Sequence, residues 1–561
     1  MQSHFWKKRC IIVAVFAVVV IAALLCALSY AFREKELYQV DERFRVDTLL
    51  DYSTEYFGNP SGGIGKNTEV KDALRSCPAI IEVLRRSDPS AWTEELLAPI
   101  HILMDLFYEY GYLPREPAET IGDYVTSMDA PLLAVSAELA YERGLGEEYR
   151  QYMEDLIPYI VSSTKENGFV LKYSKTEWWP LEYAWTTVTE KDAHFVLNGS
   201  LYGMVYIEML KNLTGDPRLA ELSEKTLNGY KAKADSFFYP DGTWCYYSLL
   251  NVDGKKTINW IPKLAIEVDT LRALYLLTEE PFYNEQLEIR LQLMANILPV
   301  YIVKDGDTNT AMLLRACAPH PYEVDIYSSF LEFLDADGNV VTFAEAKNRL
   351  VENAYILTEV PESVASYRLY RIYSSGHPDH GEPADIRLWA KGPVKYIEKS
   401  ELVTTPTPGD WSFAYDSVSL ENGKLLLNPD AAERQYGTIT YKLDEGQPYT
   451  TESYWVMEID NPTEKTMAMR SDLYDENGTV ITRTLASCKP GKNVLVYSPL
   501  GYKDHDWPLD KVAAVSVIII TNGLEEPIEL GLGDIYYFHR TADVVNYLSQ
   551  YEFSDFWVIN E

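Results

Sequence analysis

Cysteine and histidine are both scarce in this 561-residue sequence, and their scarcity excludes two kinds of stabilising site. The six cysteines are scattered without any Cys-x-x-Cys pair, and two of them, Cys10 and Cys26, fall in an apolar run near the N-terminus. The eight histidines show no spacing typical of metal ligands. The pattern indicates neither a disulfide framework nor a zinc site. We therefore predict no structural metal and no cofactor.

Basic residues are also few. The chain has 50 Lys and Arg against 84 Asp and Glu, which gives a formal net charge of −34. A surface this acidic repels polyanions, so nucleic acid is excluded as a partner. A heavily sulfated glycan would need a locally basic groove.

Aromatic residues, in contrast, are abundant: they make up 13% of the chain, with 42 Tyr and 12 Trp. Their flat apolar faces and polar edges suit stacking against sugar rings. The same side chains also fill contacts between domains, so both interpretations stay open here. At roughly 100–200 residues per domain, the length leaves room for about two to four domains.

One long hydrophobic run, residues 10–32, contains no charged residue. At ~1.5 Å per residue it rises ~34 Å, which is enough to cross a bilayer. Lys7, Lys8 and Arg9 precede it, so the positive-inside rule places residues 1–9 in the cytoplasm. A cleaved signal peptide is the alternative, but its apolar stretch is usually only ~7–15 residues. We predict a single-pass membrane protein whose bulk is extracytoplasmic.

The rest of the chain changes its hydrophobic period near residue 300. Before that point apolar residues recur at i, i+3 and i+4, and short Gly/Pro turns such as Asp216-Pro217 separate the segments. Helix pairs of this kind predict an α-hairpin array or an (α/α) toroid-like domain, of which we favour the toroid. After residue 300 the period becomes two, with closely spaced turns, which is typical of an antiparallel β-sandwich. This sandwich resembles carbohydrate-binding modules, although a purely structural sandwich has the same pattern.

These patterns predict a multidomain α + β protein with an N-terminal transmembrane helix, a toroid-like helical domain and a C-terminal β-sandwich. The predicted boundaries are a cytoplasmic segment 1–9, a transmembrane helix 10–32, a stalk 33–60, a helical domain 61–300, a β-rich connecting region 301–400, a β-sandwich 401–540 and a tail 541–561.

Two aromatic stretches are the candidates for chemistry. Residues 177–203 hold three Trp, two Tyr, a His and three Glu in a loop that leads into a helix, and residues 238–249 form a second aromatic turn. Loops with exposed aromatics and a carboxylate are common sites of sugar chemistry. Core packing would also account for each stretch taken alone.

Several short motifs in these stretches resemble the C-terminal domain of D-glucuronyl C5-epimerases. The resemblance covers roughly residues 110–300. The motif residues are Ser127-Met128, the loop Trp178, Trp179, Glu182, Tyr183 with Thr186-Thr187, the stretch Phe195-Val196-Leu197-Asn198-Gly199 with Tyr202, and the turn Gly242-Thr243 with Tyr247-Ser248-Leu249.

The family converts glucuronate to iduronate in heparan-type chains. Its reaction removes the weakly acidic proton at C5, which needs a base on one face and an acid on the other. The resemblance implies catalytic roles for Glu182, Tyr183 and Tyr247. A further tyrosine of the family falls on Lys263 here. A lysine could act in catalysis if its pKa were lowered, could neutralise a substrate carboxylate, or could simply be solvated.

Eight further residues are predicted to bind substrate. They are Trp178, Trp179, His194, Asn198, Tyr202, Trp244, Tyr246 and Asp129. Asn198 could instead cap the helix that follows it, and His194 could be an ordinary surface histidine.

The leading hypothesis is a membrane-anchored, extracytoplasmic uronate C5-epimerase that acts on a uronate-containing polysaccharide, with a homodimer left open. A lyase on the same scaffold would share the proton abstraction. A hydrolase would need a second carboxylate opposite Glu182, for which Asp129 and Glu267 are the candidates. A non-catalytic glycan-binding or assembly protein is the alternative from another class.

Overall fold

The structure is a computed structural model that describes most of residues 68–398 and the strands of residues 411–547. The described part leaves out residues 1–67, 86–92, 114, 119–121, 241, 243, 251–255, 260, 315–325, 348–353, 375–382, 399–410, 415–417, 422–423, 428–435, 443–452, 465–466, 489, 498–511, 521–526, 539, 541–542, 545–546 and 548–561.

The predicted membrane anchor, residues 10–32, and the stalk, residues 33–60, lie outside the described part. Within that part, no helix combines the length and apolar character that a bilayer crossing requires. The anchor therefore stays a prediction from the sequence.

The helical region contains four consecutive helix pairs among the described residues. The helices are α1 Thr68–Arg85, α2 Glu94–Tyr110, α3 Asp129–Glu142, α4 Glu147–Ile160, α5 Leu197–Thr214, α6 Pro217–Lys233, α7 Ile261–Thr278 and α8 Pro281–Ile297. The odd-numbered helices pack against one another in series, and each carries the following even-numbered helix on its other side. This gives an inner and an outer layer. Closure of the pairs into a toroid stays a prediction.

Local sequence explains why the layers form. Almost every residue of α3 and α5 that the structure describes is buried, which is typical of helices surrounded by protein. Helix α6 begins at the Asp216-Pro217 turn: the Asp216 side chain accepts a hydrogen bond from the Arg218 backbone N–H at 2.8 Å, and Pro217 occupies the first turn. Gly215, with φ of 65°, ends α5 in the left-handed conformation.

A short antiparallel hairpin precedes each of three inner helices. The strands are β1 Arg115–Ala118 and β2 Gly122–Tyr124 before α3, β3 Val170–Lys172 and β4 Trp178–Pro180 before α5, and β5 Tyr246–Ser248 and β6 Thr257–Ile258 before α7. Isolated β-bridges join Val125 to Ala184 and Val196 to Ser248. The hairpins and the beginnings of α3, α5 and α7 therefore lie at one end of the helical layers.

Two pairs of sheets follow the helices. The region predicted only as a β-rich connection forms one pair, from β7 Val300–Asp305, β8 Thr308–Leu314, β9 Ile326–Leu334, β10 Val340–Lys347, β11 Ala354–Glu359, β12 Ser366–Ser374, β13 Pro383–Pro393 and β14 Lys395–Glu398. Their orders are β10-β9-β12-β13 and β11-β8-β7-β14, with β14 parallel to β7.

The second pair of sheets falls in the region predicted as a β-sandwich. Its strands are β15 Trp411–Ala414, β16 Val418–Glu421, β17 Lys424–Leu427, β18 Tyr436–Lys442, β19 Tyr454–Asn461, β20 Met467–Tyr474, β21 Val480–Cys488, β22 Gly491–Tyr497, β23 Ala514–Ile520 and β24 Ile528–Phe538. They form two five-stranded sheets, β15-β18-β23-β20-β21 and β16-β17-β24-β19-β22.

The last helix packs against the first pair of sheets. Helix α8 lies on β13, where Gly392 gives room for Ala295, and the Tyr367 hydroxyl donates to the Leu298 carbonyl at 2.6 Å. Trp389 is buried, and buried apolar residues of the helices and of these strands form one continuous core. The helical layers and the first pair of sheets therefore share packing.

Candidate active site

The structure brings the four predicted catalytic side chains together. Tyr183 is hydrogen-bonded to the Glu182 carboxylate, and Tyr247 is hydrogen-bonded to Tyr183. The Lys263 Nζ atom lies 5.8 Å from the centroid of the Tyr247 ring. We call these four residues the Glu182 cluster. It lies where the β4–α5 connection, strand β5 and the first turn of α7 meet.

Glu182 follows β4 and is only 4% exposed. Its backbone is fixed on both sides, because the Ser127 N–H donates to the Leu181 carbonyl and the Ala184 N–H donates to the Val125 carbonyl, each at 2.9 Å. Its carboxylate lies against Gly199 in the first turn of α5. A buried carboxylate in a fixed segment, next to two phenols, has the geometry expected of a general base.

The two phenols of the cluster retain their protons. The Glu182 charge raises the pKa of Tyr183 well above its ordinary value of 10.0, and burial adds to the effect. Burial is the larger cause for Tyr247, whose pKa is also raised by Glu182 and Tyr183. Since ionisation would place a second negative charge beside Glu182, both tyrosines are neutral hydrogen-bond donors at neutral pH.

Lys263 supplies the cation of the cluster. It is in the first turn of α7 and is partly exposed. Burial lowers the pKa of its ammonium group from 10.5 to about 8, and the charge of Glu182 opposes the decrease. The group is therefore mostly protonated at pH 7, and it titrates close to the neutral range.

Two residues beside the cluster, Tyr124 and Arg115, were not predicted from the sequence. The Tyr124 ring lies 5.2 Å from the Tyr183 ring, and burial raises the pKa of Tyr124 while the Arg115 charge lowers it. Arg115 donates two hydrogen bonds to Asp129, with 2.7 Å between Nε and Oδ2. Neither residue belongs to a motif. Both lie in the β1–β2 hairpin before α3, so a prediction of that hairpin from the sequence would have placed them beside the cluster.

Asp129 needs correction as a predicted substrate-binding residue. It is 2% exposed, and both of its carboxylate oxygens are occupied by Arg115. The pair fixes β1 to the beginning of α3, so Asp129 holds Arg115 near the cluster instead of contacting a substrate.

Three of the predicted substrate-binding aromatics are buried in the structure, so their contact with a substrate stays a prediction. Trp179 and Tyr202 are 1% exposed and Trp244 is 6% exposed. The Trp179 indole donates to Ser200 Oγ at 2.7 Å, and the Trp244 indole donates to the Asn259 carbonyl at 2.9 Å. Trp179 therefore ties β4 to α5, and Trp244 joins the two ends of the β5–β6 hairpin.

Trp178 and Tyr246 remain accessible, although neither is part of the cluster. The Trp178 ring lies between Lys172 Nζ, at 4.3 Å, and Lys225 Nζ, at 4.2 Å. Tyr246 packs against Tyr239. Because alternate residues of a strand face opposite sides, each points away from its neighbour Trp179 or Tyr247. Substrate contact by these two residues stays a prediction.

His194 lies at the edge of the cluster. Its ring is 6.0 Å from that of Tyr183 and 5.9 Å from that of Trp185, and burial lowers the pKa of the imidazole. It is therefore neutral at pH 7. The next residue, Phe195, has φ of 46°, a strained conformation for a bulky side chain. This bend separates His194 from the helix that carries Gly199.

Asn198 does not cap α5. The capping position is Val196, which makes no side-chain cap, and Asn198 is the second helical residue. Its side chain is fully buried, and within the described part of the chain neither of its amide atoms has a hydrogen-bond partner. An unsatisfied buried polar group costs about 1–3 kcal/mol. This cost favours the ligand interpretation over the cap.

The second carboxylate required by a hydrolase is not supplied by either candidate. Asp129 is bound by Arg115, and Glu267 accepts hydrogen bonds from Arg290 and Asn259 at 2.6 Å each in a fully buried group. Across the residues that the structure describes, no set of three or more His, Cys, Asp or Glu is grouped as metal ligands.

Comparisons with solved structures give only distant similarities. A D-mannose isomerase matches at 13% identity over 41% of this chain and 59% of that chain, with a TM-score of 0.29. The family 11 carbohydrate-binding module of a Clostridium thermocellum cellulosomal cellulase matches at 9% identity over 24% and 88%, with a TM-score of 0.19. An agarase matches at 12% identity over 24% of each chain, also with a TM-score of 0.19. The chain thus spans about a quarter of the agarase and less than two thirds of the isomerase, and similarity at this level says nothing about activity.

A comparison with curated proteins gives no match. The family comparison is more specific, because residues 105–290 match the D-glucuronyl C5-epimerase C-terminus. The matched segment runs from α2 to α8 and includes the whole Glu182 cluster. It agrees with the extent of the resemblance seen in the motifs. Over residues 105–290 this chain therefore matches the D-glucuronyl C5-epimerase C-terminal family, as the motifs indicated.

Proposed function

We propose that the protein is a uronate C5-epimerase that acts on a uronate-containing polysaccharide, anchored by residues 10–32 and exposed outside the cytoplasm. The observation that carries the proposal is the hydrogen-bonded line from Glu182 through Tyr183 to Tyr247, with Lys263 beside it, inside the family segment.

The first step is removal of the C5 proton by Glu182. The C–H bonding electrons move into the carboxylate of the sugar and form an enediolate, while Glu182 becomes protonated. The added negative charge needs stabilisation. Lys263, as an ammonium ion, and the beginnings of α3, α5 and α7, with their partial positive charges, offer it at this site.

The second step is return of a proton to the opposite face of C5. Tyr247 is neutral and half-buried, and its hydroxyl proton reforms the C–H bond as the enediolate electrons return to C5. This leaves Tyr247 as a phenolate and Glu182 as an acid. Tyr183, hydrogen-bonded to both, accepts a proton from Glu182 and gives its own to Tyr247. The site then returns to its starting protonation.

A polysaccharide lyase is the second candidate, because it uses the same abstraction at C5. It differs in that the enediolate electrons expel the 4-linked sugar oxygen and Tyr247 protonates that oxygen. The ion pairs of Asp129 and Glu267 disfavour the hydrolase. A glycan-binding protein would bind the polymer without any exchange at C5.

The test is an incubation of the full chain with a non-sulfated uronate polymer in deuterium oxide. An epimerase incorporates deuterium at C5 without cleaving the chain, whereas a lyase produces unsaturated ends that absorb ultraviolet light.

Tyr247→Phe removes the hydroxyl, and it should reduce incorporation by about 10²–10⁴-fold. Tyr239→Phe, which removes a hydroxyl from a residue outside the cluster, is the matched control. No exchange with any uronate polymer would refute the epimerase and leave the binding protein.

A further inference from the structure

We propose that Gly199 is a positioning residue: its missing side chain creates the space in which the Glu182 carboxylate is held. The role rests on the proposed function, since it concerns the base of that reaction. A Cβ atom at Gly199 would lie 2.6 Å from both Cδ and Cγ of Glu182, and closer still to one carboxylate oxygen. Real Cβ atoms essentially never approach other atoms this closely, so the carboxylate occupies the volume that a methyl group would take.

Gly203 lies one helical turn further along α5, on the same side of the helix as Gly199, and it also lacks a side chain. A Cβ atom there would lie 2.7 Å from Cβ and Oγ of Ser127 and 2.8 Å from the Ser127 carbonyl oxygen. The Ser127 hydroxyl also donates to the Gly199 carbonyl at 3.3 Å. Residues four apart on a helix face the same side. One side of α5 thus receives the Glu182 carboxylate at Gly199 and the turn before α3 at Gly203.

The two glycines differ in what a methyl group would displace. At Gly199 the obstructing atoms are the end of a side chain that can rotate, and at Gly203 they include backbone. The Glu182 backbone cannot retreat, since hydrogen bonds from Ser127 and to Val125 hold it on both sides. Alanine at 199 should therefore rotate the carboxylate away from Tyr183, whereas alanine at 203 should push α5 from the turn before α3.

Displacing the base affects turnover more than binding. A misplacement of about 1 Å at a reacting group can cost on the order of 10²-fold in rate. Gly199→Ala should therefore lower kcat by about 10- to 100-fold and leave KM within about 3-fold, because the contacts that bind the polymer away from C5 are unchanged. Gly203→Ala should mainly lower the unfolding temperature.

The decisive experiment is a double-mutant cycle with Glu182→Ala, measured by denaturant unfolding of the full chain. With Glu182 present, Gly199→Ala should destabilise the protein because the methyl group and the carboxylate compete for one volume. With Glu182→Ala, the same change should be neutral or stabilising, because alanine favours a helix more than glycine does. Gly203→Ala should cost the same in both backgrounds, since its neighbour is Ser127.

This cycle does not depend on activity. Suppose that wild-type protein shows no exchange at C5, but that the effect of Gly199→Ala on stability depends on the Glu182 side chain. The proposed function is then wrong, and the contact between Gly199 and Glu182 is confirmed. If Gly199→Ala has equal effects on stability with and without the Glu182 side chain, the positioning role is wrong even in an active enzyme. Should Gly199→Ala fail to fold, the double variant with Glu182→Ala should fold, and its failure would also overturn the inference.

A kinetic cycle tests the role in catalysis. Glu182→Asp shortens the side chain by one methylene and withdraws it from the added methyl group. Gly199→Ala should therefore reduce kcat less in the Glu182→Asp background than in wild type. Equal fold-losses in the two backgrounds would show that Gly199 acts through the helix and not through the carboxylate.

Discussion

Replacing Lys263 with methionine should stabilise the protein at neutral pH while impairing its proposed reaction. Methionine keeps most of the length of the lysine side chain and has no charge. The folded environment disfavours the ammonium ion, because burial outweighs the attraction of Glu182. Removing the charge removes this cost of folding.

The magnitude follows from the pKa. The fall from 10.5 to about 8, at about 1.4 kcal/mol per pKa unit, corresponds to a folding cost of about 3 kcal/mol. This shift is already the net of the burial cost and the attraction to Glu182, so the gain in the free energy of unfolding at pH 7 is at most about 3 kcal/mol.

The sign of the pH dependence is fixed by linkage. Between pH about 8 and 10.5 the unfolded chain binds more protons at Lys263 than the folded chain does, so wild-type stability rises with pH across this window. The cost is fully present below pH about 8. The advantage of Lys263→Met should therefore be greatest at pH 7 and should shrink towards pH 10.5.

The assay is urea unfolding of both proteins from pH 7 to 10.5, with Lys191→Met as the control because Lys191 is exposed. Only the difference between variant and wild type is read, so other groups that titrate in the window largely cancel. A variant that is less stable than wild type at pH 7, or a difference that does not change with pH, would refute the account of Lys263. In the exchange assay, a raised KM with unchanged kcat identifies a carboxylate clamp, and a lowered kcat identifies an acid or base.

Three further predictions follow from the structure. Arg115→Met leaves the buried Asp129 charge without its partner and should cost about 3–5 kcal/mol of stability by urea unfolding; a loss under 1 kcal/mol would show that the pair is solvated. Asn198→Ala should weaken polymer binding, measured by affinity electrophoresis, while leaving the unfolding midpoint equal to or above that of wild type, because its amide has no partner in the described structure; unchanged binding would exclude the ligand role. A fragment of residues 61–298 should be less soluble in a sedimentation assay than one of residues 61–398, because α8 loses β13; equal solubility would contradict a shared core.

The sequence predicted the mixed helical and β architecture because both periods are long and regular. The Asp216-Pro217 start is a local signal of two residues, whereas the change near residue 300 is visible in the periods of the long segments on either side of it. The paired sheets within residues 300–398 were not predicted, since strand order depends on contacts distant in sequence. Closure of the helix pairs and the membrane anchor stay predictions.

The site was predicted in part, because short motifs identify some of its residues but do not show which side chains are buried. The motif residues Glu182, Tyr183, Tyr247 and Lys263 do converge, although their roles stay predictions. Composition alone could not tell an exposed aromatic from a buried one. Trp178 and Trp179 are identical residues at adjacent positions, so the sequence does not distinguish them. Strand β4 directs Trp178 outward and Trp179 into the core.

Arg115 and the role of the motif residue Gly199 were missed because the importance of both comes from position. Arg115 is near the cluster only because a hairpin before α3 brings it there, and Gly199 matters because the carboxylate of a residue 17 positions earlier lies against it. Neither relation leaves a periodic pattern or a recognisable spacing.

Deuterium incorporation at C5 of a non-sulfated uronate polymer, compared between wild type and Glu182→Gln, tests the central claim most directly. Glutamine keeps the shape and hydrogen bonds of Glu182 but cannot accept the proton. Wild type should incorporate deuterium without chain cleavage, and the variant should be slower by about 10²–10⁴-fold while still binding the polymer. Incorporation that persists at the wild-type rate in Glu182→Gln would contradict the account.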